Sequence, residues 1–457
     1  MFGASLAVPV AVSYPIRTPF PPPPQREPVA AVLGFSPDRG WDLLMICLVG
    51  HILNAVGRLN NLYDFLKPLH LVLVFAGAAL LLYVLGGGST RRLAPVLRST
   101  TTRCALGLGV WMALSIPGAL WQGGAFQEFT DEFGKGVIMF VVIAGAARGF
   151  RDVERLTFAY LVCAAFYAAV VLSRFVVTGG AQWRLGSLYY YDANEFATLA
   201  VMCMPIAVYF VIQRKSLWQR IAGAAALLLL LRVFVWAGSR GGFLALIAVG
   251  AFLLIRYRSI PIRWRVLTTA LLALAFAATA SDTYWEKMRT ITQPGSDYNV
   301  TDEGGRLQIW KRGIGYMLRN PLFGVGAGNF PTAEGTISVV ARNAPIGKGV
   351  KWYEAHNSFV QVGAELGVPG LLLFVAMLAS AFRMLAVVRR TVQRSTRDRS
   401  PPPAALAETL QASLVGYVVG GFFLSLAYRD LLLVLLGIVV AFWKVTAGLA
   451  QRDIRWS

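Results

Sequence analysis

The chain has 457 residues, 56% of them apolar (AVILMFWYC) and 14% charged, with a mean hydropathy of +0.58. A soluble domain is about 45–50% apolar and about 25% charged. This composition therefore excludes a soluble enzyme, a disordered chain and a secreted disulfide scaffold, and it leaves an all-α polytopic membrane protein. Lys plus Arg number 43 against 23 for Asp plus Glu, a net charge of +20. Because these charges lie between apolar segments, they are expected to face anionic lipid, with no nucleic-acid partner.

The chain opens with an apolar stretch at 6–12 that is short and broken by Pro9, which predicts no cleaved signal peptide. A proline-rich run over 15–28 follows, so 1–40 is expected to be an extended cytoplasmic tail. Crossing a bilayer core takes roughly 20 mostly apolar residues per helix. About 12 transmembrane helices are predicted, near 41–57, 68–86, 104–121, 135–148, 156–177, 193–212, 218–237, 241–256, 264–281, 367–388, 405–427 and 430–448. The fourth is short, and the seventh and eighth are divided only by a tight turn, Ala237-Gly238-Ser239-Arg240-Gly241-Gly242. Helices 1–9 occupy 41–280 and helices 10–12 occupy 358–448. Between them, 281–357 forms one large periplasmic loop with short amphipathic helices, and 449–457 is a cytoplasmic tail.

Orientation follows from the basic residues of alternate loops. One set carries Arg91, Arg92, Arg98 and Arg103; Arg148, Arg151 and Arg155; Arg214, Lys215 and Arg220; Arg256, Arg258, Arg263 and Arg265; then Arg383, Arg389, Arg390, Arg394, Arg397 and Arg399. Those loops are expected in the cytoplasm, together with both termini. The loop at 281–357 then lies outside. It is itself basic, with Lys287, Arg289, Arg306, Lys311, Arg312, Arg319, Arg342, Lys348 and Lys351, which suits either a solvated surface or an anionic ligand.

Chemistry-bearing residues are few. Cys47, Cys104, Cys163 and Cys203 sit inside apolar runs with no metal-ligand spacing and read as small buried hydrophobes. His51 and His70 read as hydrogen-bonded packing residues of the first two spans. His356 differs: it sits in Trp352-Tyr353-Glu354-Ala355-His356-Asn357-Ser358-Phe359, where the outer loop meets a membrane helix. Asn357 or Ser358 suits an N-cap there, His356 suits a general base, and Glu354 could orient it. Arg174, Arg184, Arg232, Arg240 and Arg306 all fall at or near the outer face, where an arginine needs an anion or water. Arginine forks onto phosphate oxygens. No metal or nucleotide motif is present, and Gly324-Val325-Gly326-Ala327-Gly328 after Asn320-Pro321 reads as a turn.

Four stretches resemble the O-antigen ligase and polysaccharide polymerase superfamily of bacterial inner-membrane proteins. They are Trp183-Arg184-Leu185-Gly186 with Asp192-Ala193-Asn194-Glu195-Phe196-Ala197; Gly238-Ser239-Arg240-Gly241-Gly242; Gly305-Arg306-Leu307-Gln308-Ile309-Trp310 running on to Asn320-Pro321-Leu322-Phe323-Gly324-Val325-Gly326; and His356-Asn357-Ser358-Phe359-Val360-Gln361 with Glu365-Leu366-Gly367-Val368-Pro369-Gly370. The resemblance covers roughly 180–380, with Ala193 where many relatives carry proline. It implies an inner-membrane transferase that takes a glycan from undecaprenyl diphosphate at the periplasmic face. His356 would be the base; Arg184, Arg240 and Arg306 would hold the diphosphate; Arg312, Lys311, Asn194, Glu354 and Asn357 would be secondary contacts. It implies no metal and no cofactor, and inversion at the sugar. The acceptor is lipid A-core in a ligase or a second lipid-linked glycan in a polymerase. A protein O-oligosaccharyltransferase and a transporter are the remaining readings.

Overall fold

The computed structural model describes residues 40–86, 89–175, 184–186, 190–213, 216–258, 260–293, 295, 299, 302, 304–345, 349–395 and 401–454, without the side chains of 89, 213, 275, 279, 395 and 448–454. The proline-rich tail, Trp183, Arg214, Lys215, Lys348, Arg397 and Arg399 lie outside the described residues.

The molecule is all-helical, with no strand among the described residues. The main helices are α1 (Leu43–Ala55), α2 (Leu71–Leu85), α3 (Ser89–Arg98), α4 (Thr100–Ser115), α5 (Lys135–Ala146), α6 (Phe150–Arg174), α7 (Ala193–Gln213), α8 (Leu217–Ala237), α9 (Arg240–Arg256), α10 (Ile262–Thr279), α11 (Asp282–Arg289), α12 (Arg306–Arg319), α13 (Phe330–Thr336), α14 (Ser358–Ser395), α15 (Pro402–Gly421) and α16 (Asp430–Ile454). Each of the twelve apolar segments falls on one of these. By length and apolarity together, six helices could cross a membrane: Asp64–Leu85, Phe150–Arg174, Ala193–Ile212, Leu217–Ala237, Ser358–Arg394 and Asp430–Ala447. A seventh is added if the bent pair α10–α11 counts as one. The other expected spans fall on helices that do not meet that test.

Helix starts follow capping chemistry. Asp42, Ser99, Ser239 and Ser281 each accept a first-turn N–H of the helix they precede. Helix α7 starts with a reciprocal capping box. Asp192 Oδ1 accepts from the Asn194 and Glu195 amides at 2.6 and 2.7 Å, and the Asp192 N–H donates to Glu195 Oε2 at 3.1 Å. Helix α7 is the hub, packed against α6, α8, α9 and α15, while α14 packs on α4, α12, α15 and α16. The four cysteines are free and buried. His51 is buried as well, but His70 is exposed where a packing role was expected, because it takes left-handed backbone at the start of α2 rather than a helical position.

One end of the bundle is tied by ion pairs: Arg148 to Asp42 (2.5 Å) and Asp152 (3.0 Å), Arg155 to Asp152 (3.2 Å) and Arg389 to Glu408 (3.5 Å). The other end carries the 281–357 segment. There α12, α13 and the start of α14 enclose a small separate core of Ile309, Tyr316, Val325, Phe330, Ala333, Ala355 and Ala364. Helix α14 is broken at Gly367, whose backbone is left-handed. A Cβ there would run into the Pro321 and Leu322 carbonyls, and the Val368 amide donates to Pro321 O at 2.8 Å. The carbonyls freed near the break are met by the glycine-containing turn: the Val325 and Gly326 amides donate to Ala364 O and Glu365 O, both at 2.9 Å. That stretch is a strap on α14, as its turn signature suggested.

Candidate active site

His356 sits one residue before the cap of α14 and takes left-handed backbone, φ 47°. Asn357 Oδ1 accepts from the Phe359 and Val360 amides at 2.9 and 3.1 Å, which makes it the N-cap. The His356 N–H donates to Ser425 Oγ at 3.0 Å. Ser358 Oγ donates to Leu424 O at 2.7 Å and accepts from the Leu426 amide at 2.9 Å. The turn carrying His356 is thus fastened to the loop between α15 and α16. From the other side, Trp310 Nε1 donates to Ala355 O at 3.1 Å.

That last contact explains how Arg306 arrives. Arg306 and Trp310 are four residues apart on α12 and share a face, so docking Trp310 beside Ala355 carries the Arg306 charge towards the imidazole. Burial lowers His356 from 6.5 to about 4; Arg306 and Lys351 reinforce the shift and Asp192 opposes it. The ring is therefore neutral at neutral pH and able to accept a proton.

Arg240 opens α9 at the same end. Left-handed Gly238 closes α8, so the chain reverses within two residues and Ser239 caps α9. Gly241 lies against Phe423, where a Cβ would come within 2.8 Å of the Phe423 Cβ. Phe423 and Phe422 in turn sit 6.4 and 5.3 Å from the Trp310 ring. Arg240 Nη1 donates to Thr290 Oγ1 at 2.7 Å, just past α11. Arg184 lies beside the end of α8, where the neighbouring Leu185 amide donates to Trp236 O at 2.8 Å.

Other candidates have different surroundings. Arg312 forms a bidentate pair with Glu334, which is 1% exposed, at 2.5–3.0 Å, and Tyr316 Oη also donates to Glu334 at 2.8 Å. Its guanidinium holds α12 to α13. Lys311 is exposed beside it, on a cleft of about 220 Å3 that Arg319 also lines. Asn194 gives its amide to the α7 capping box. Arg174 donates to Leu62 O at 2.8 Å, and Arg232 lies 4.3 Å over the Trp236 ring. Glu354 is electrostatically coupled to Arg429, and His356 instead feels Asp192.

Arg429 itself escaped the sequence reading. It reaches Glu132 Oε2 at 3.3 Å and Tyr190 Oη at 3.4 Å. Burial works against its charge, but Tyr190, Glu132, Glu128 and Glu195 outweigh it and raise its pKa. Burial pushes Glu128 up to about 7; Arg429 opposes the rise, while Glu132 and Glu354 add to it. Burial also raises Glu354. One arginine, on the loop whose Ser425 holds the His356 amide, therefore organises an acidic group. The signal was the pair Arg429-Asp430 between two apolar runs, where charge is expensive.

A groove of about 420 Å3 lies next to these residues, lined by Leu244, Phe359, Val418, Val419, Phe422 and Phe423. It is wholly apolar and shares its aromatic wall with Arg240's neighbour Phe423.

Residues 225–375 match the family model described as O-antigen ligase, a segment that holds Arg240, Arg306, Lys311, Arg312, Glu354, His356 and Asn357 and excludes Arg184, Asn194 and Arg429. The chain matches no curated protein.

Proposed function

Taking the chain as a member of the O-antigen ligase superfamily, a membrane glycosyltransferase with that family's domain at 225–375, we propose that it moves a glycan from undecaprenyl diphosphate onto a hydroxyl of lipid A-core at the periplasmic face of the inner membrane. The observation that carries this is the convergence, within the matched segment, of a neutral, half-buried histidine with Arg306 and Arg240 beside an apolar groove.

Each part answers one requirement of the reaction. The apolar groove suits a polyprenyl chain entering from the bilayer. Arg240 and Arg306, with Arg184 near them, suit the diphosphate, whose charge grows as it leaves. The His356 ring takes the acceptor hydroxyl proton. The freed oxygen then bonds to the anomeric carbon from the face opposite the diphosphate, and the bond from that carbon to the diphosphate oxygen breaks, with inversion. The leaving diphosphate carries off the electron pair, and its charge beside Arg306 strengthens the hold of His356 on the proton. The donor is already activated, so the reaction calls for neither nucleotide nor metal. The cleft with Lys311 and Arg319 suits an acceptor that carries phosphate, which favours the ligase over the polymerase.

The test is transfer by purified protein. His356→Ala is expected to abolish product while keeping the thermal unfolding midpoint; near-normal turnover would remove His356 from the base role. EDTA is expected to leave the rate unchanged, and a loss restored by added divalent metal would overturn the metal-free reaction.

A further inference from the structure

At the end opposite His356, a cleft of about 520 Å3 opens on the flank of the bundle, between the α3–α4 junction, α14 and α16. Arg98 and Arg383 line it, together with Thr100, Ala376, Ala379 and Trp443. Among the described residues, no carboxylate lines it. Two of its lining hydroxyls are already matched, Ser380 Oγ to Thr101 Oγ1 at 2.8 Å and Ser99 Oγ to Thr102 Oγ1 at 2.7 Å. Its unmet charge is therefore that of the two guanidiniums, and the first-turn amides of α4 add the positive end of a helix.

Two further features point to a lipid rather than a free anion. Arg383 is exposed on α14, inside a stretch apolar enough to span a membrane. A lipid-facing arginine there is costly unless an anion or water meets it. Ala379 and Ala376 lie on the same face one and two turns nearer the site end and are both exposed. Seven residues along a helix cover about 10 Å, so two small side chains leave a shallow channel running from Arg383 toward the middle of the span. Trp443 stands at the charged end, where tryptophans gather at membrane interfaces.

We propose that this cleft holds one anionic glycerophospholipid, its phosphate between Arg98 and Arg383 and an acyl chain along Ala379 and Ala376. The site is independent of the transfer reaction and is set in the opposite leaflet.

The test is native mass spectrometry of the delipidated full chain in a neutral detergent, titrated separately with phosphatidylglycerol, phosphatidylcholine and inorganic phosphate. One phosphatidylglycerol is expected to bind ahead of the others. Arg98→Ala with Arg383→Ala should weaken that first event roughly thirtyfold, the equivalent of two cation–lipid attractions. Arg390→Ala removes an exposed charge outside the cleft and is expected to leave it unchanged. Ala379→Leu fills the channel, keeps both arginines and should also weaken binding. The proposal is overturned if phosphatidylcholine binds equally well. It is likewise overturned if inorganic phosphate displaces the lipid, if Arg390→Ala costs as much as the pair, or if Ala379→Leu binds as the parent does.

Discussion

His356 can act as a base only while its ring is neutral, and its surroundings keep it so down to about pH 4. For the free enzyme, kcat/KM is expected to hold through pH 5 and fall as the pH drops through about 4, because that ratio reports groups before substrate binds. Arg306→Gln removes a cation that depresses the histidine, so the acid limb should move up, while burial, the larger cause, keeps it below 6.5. A limb already at 6.5 in the parent, or one unmoved by the substitution, would break the link between the two residues. Bound donor brings negative charge beside Arg306, so the limb in kcat is expected above that in kcat/KM. Removing either arginine proposed to hold the diphosphate should cost about 3 kcal/mol of transition-state stabilisation. Arg240→Lys should restore part of it, because lysine keeps charge but cannot fork. Full restoration in steady-state transfer rates would reduce Arg240 to a point charge. The candidate base and its arginines were legible as residue types. Their separate duties were less so: Arg174 and Arg232 fall at the same face as Arg240, and their neighbours Leu62 and Trp236, like Glu334 beside Arg312, became visible only in the fold.

At the scale of elements, the site rests on a broken helix and a small core. Gly367→Ala places a Cβ against two carbonyl oxygens in a left-handed position. Thermal unfolding in detergent should register a loss of about 2 kcal/mol or more, and an unchanged midpoint would show that the break is not fixed by this residue. Glu334→Ala removes the buried carboxylate that Arg312 grips and that accepts from Tyr316, a change expected to cost about 1–3 kcal/mol. Faster proteolysis between α12 and α13 is the expected readout, with Arg312→Met/Glu334→Leu recovering much of the loss. A single variant as resistant as the parent would mean that the pair does not hold the two helices. Apolar runs announced where helices lie, because burial and lipid both favour them. They did not announce where helices stop. The run Phe422-Phe423-Leu424 reads as more membrane helix, yet α15 ends at Gly421, and the following loop supplies Ser425 to His356 and carries Arg429. Helix α14 starts nine residues before the expected span, because its first turns, with Gln361 and Glu365, are polar for a span but are buried by α12 and the glycine strap.

Among the described residues, polar groups gather at the two ends of the bundle, ion pairs at one and the His356 turn with its arginines at the other. A secondary transporter would instead place its polar groups and helix breaks near the middle of the bundle. Here the break at Gly367 serves to dock the 281–357 segment, and His356, Arg240, Arg306 and Arg429 all lie at that end. Net charge and alternating basic loops were enough to suggest which end faces outward. No property of composition identifies the acceptor, since a hydroxyl on lipid A-core and one on a second lipid-linked glycan demand the same base and the same diphosphate clamp. The measurement that bears most directly on the reaction is transfer by purified protein from undecaprenyl-diphosphate-linked glycan, with lipid A-core, a second lipid-linked glycan or no acceptor supplied in parallel. A new glycosidic product with lipid A-core alone, lost in His356→Ala, is the expected result. A ladder formed with the second lipid-linked glycan would make the protein a polymerase, and movement of lipid-linked glycan across liposomes with no new linkage would contradict a transferase altogether.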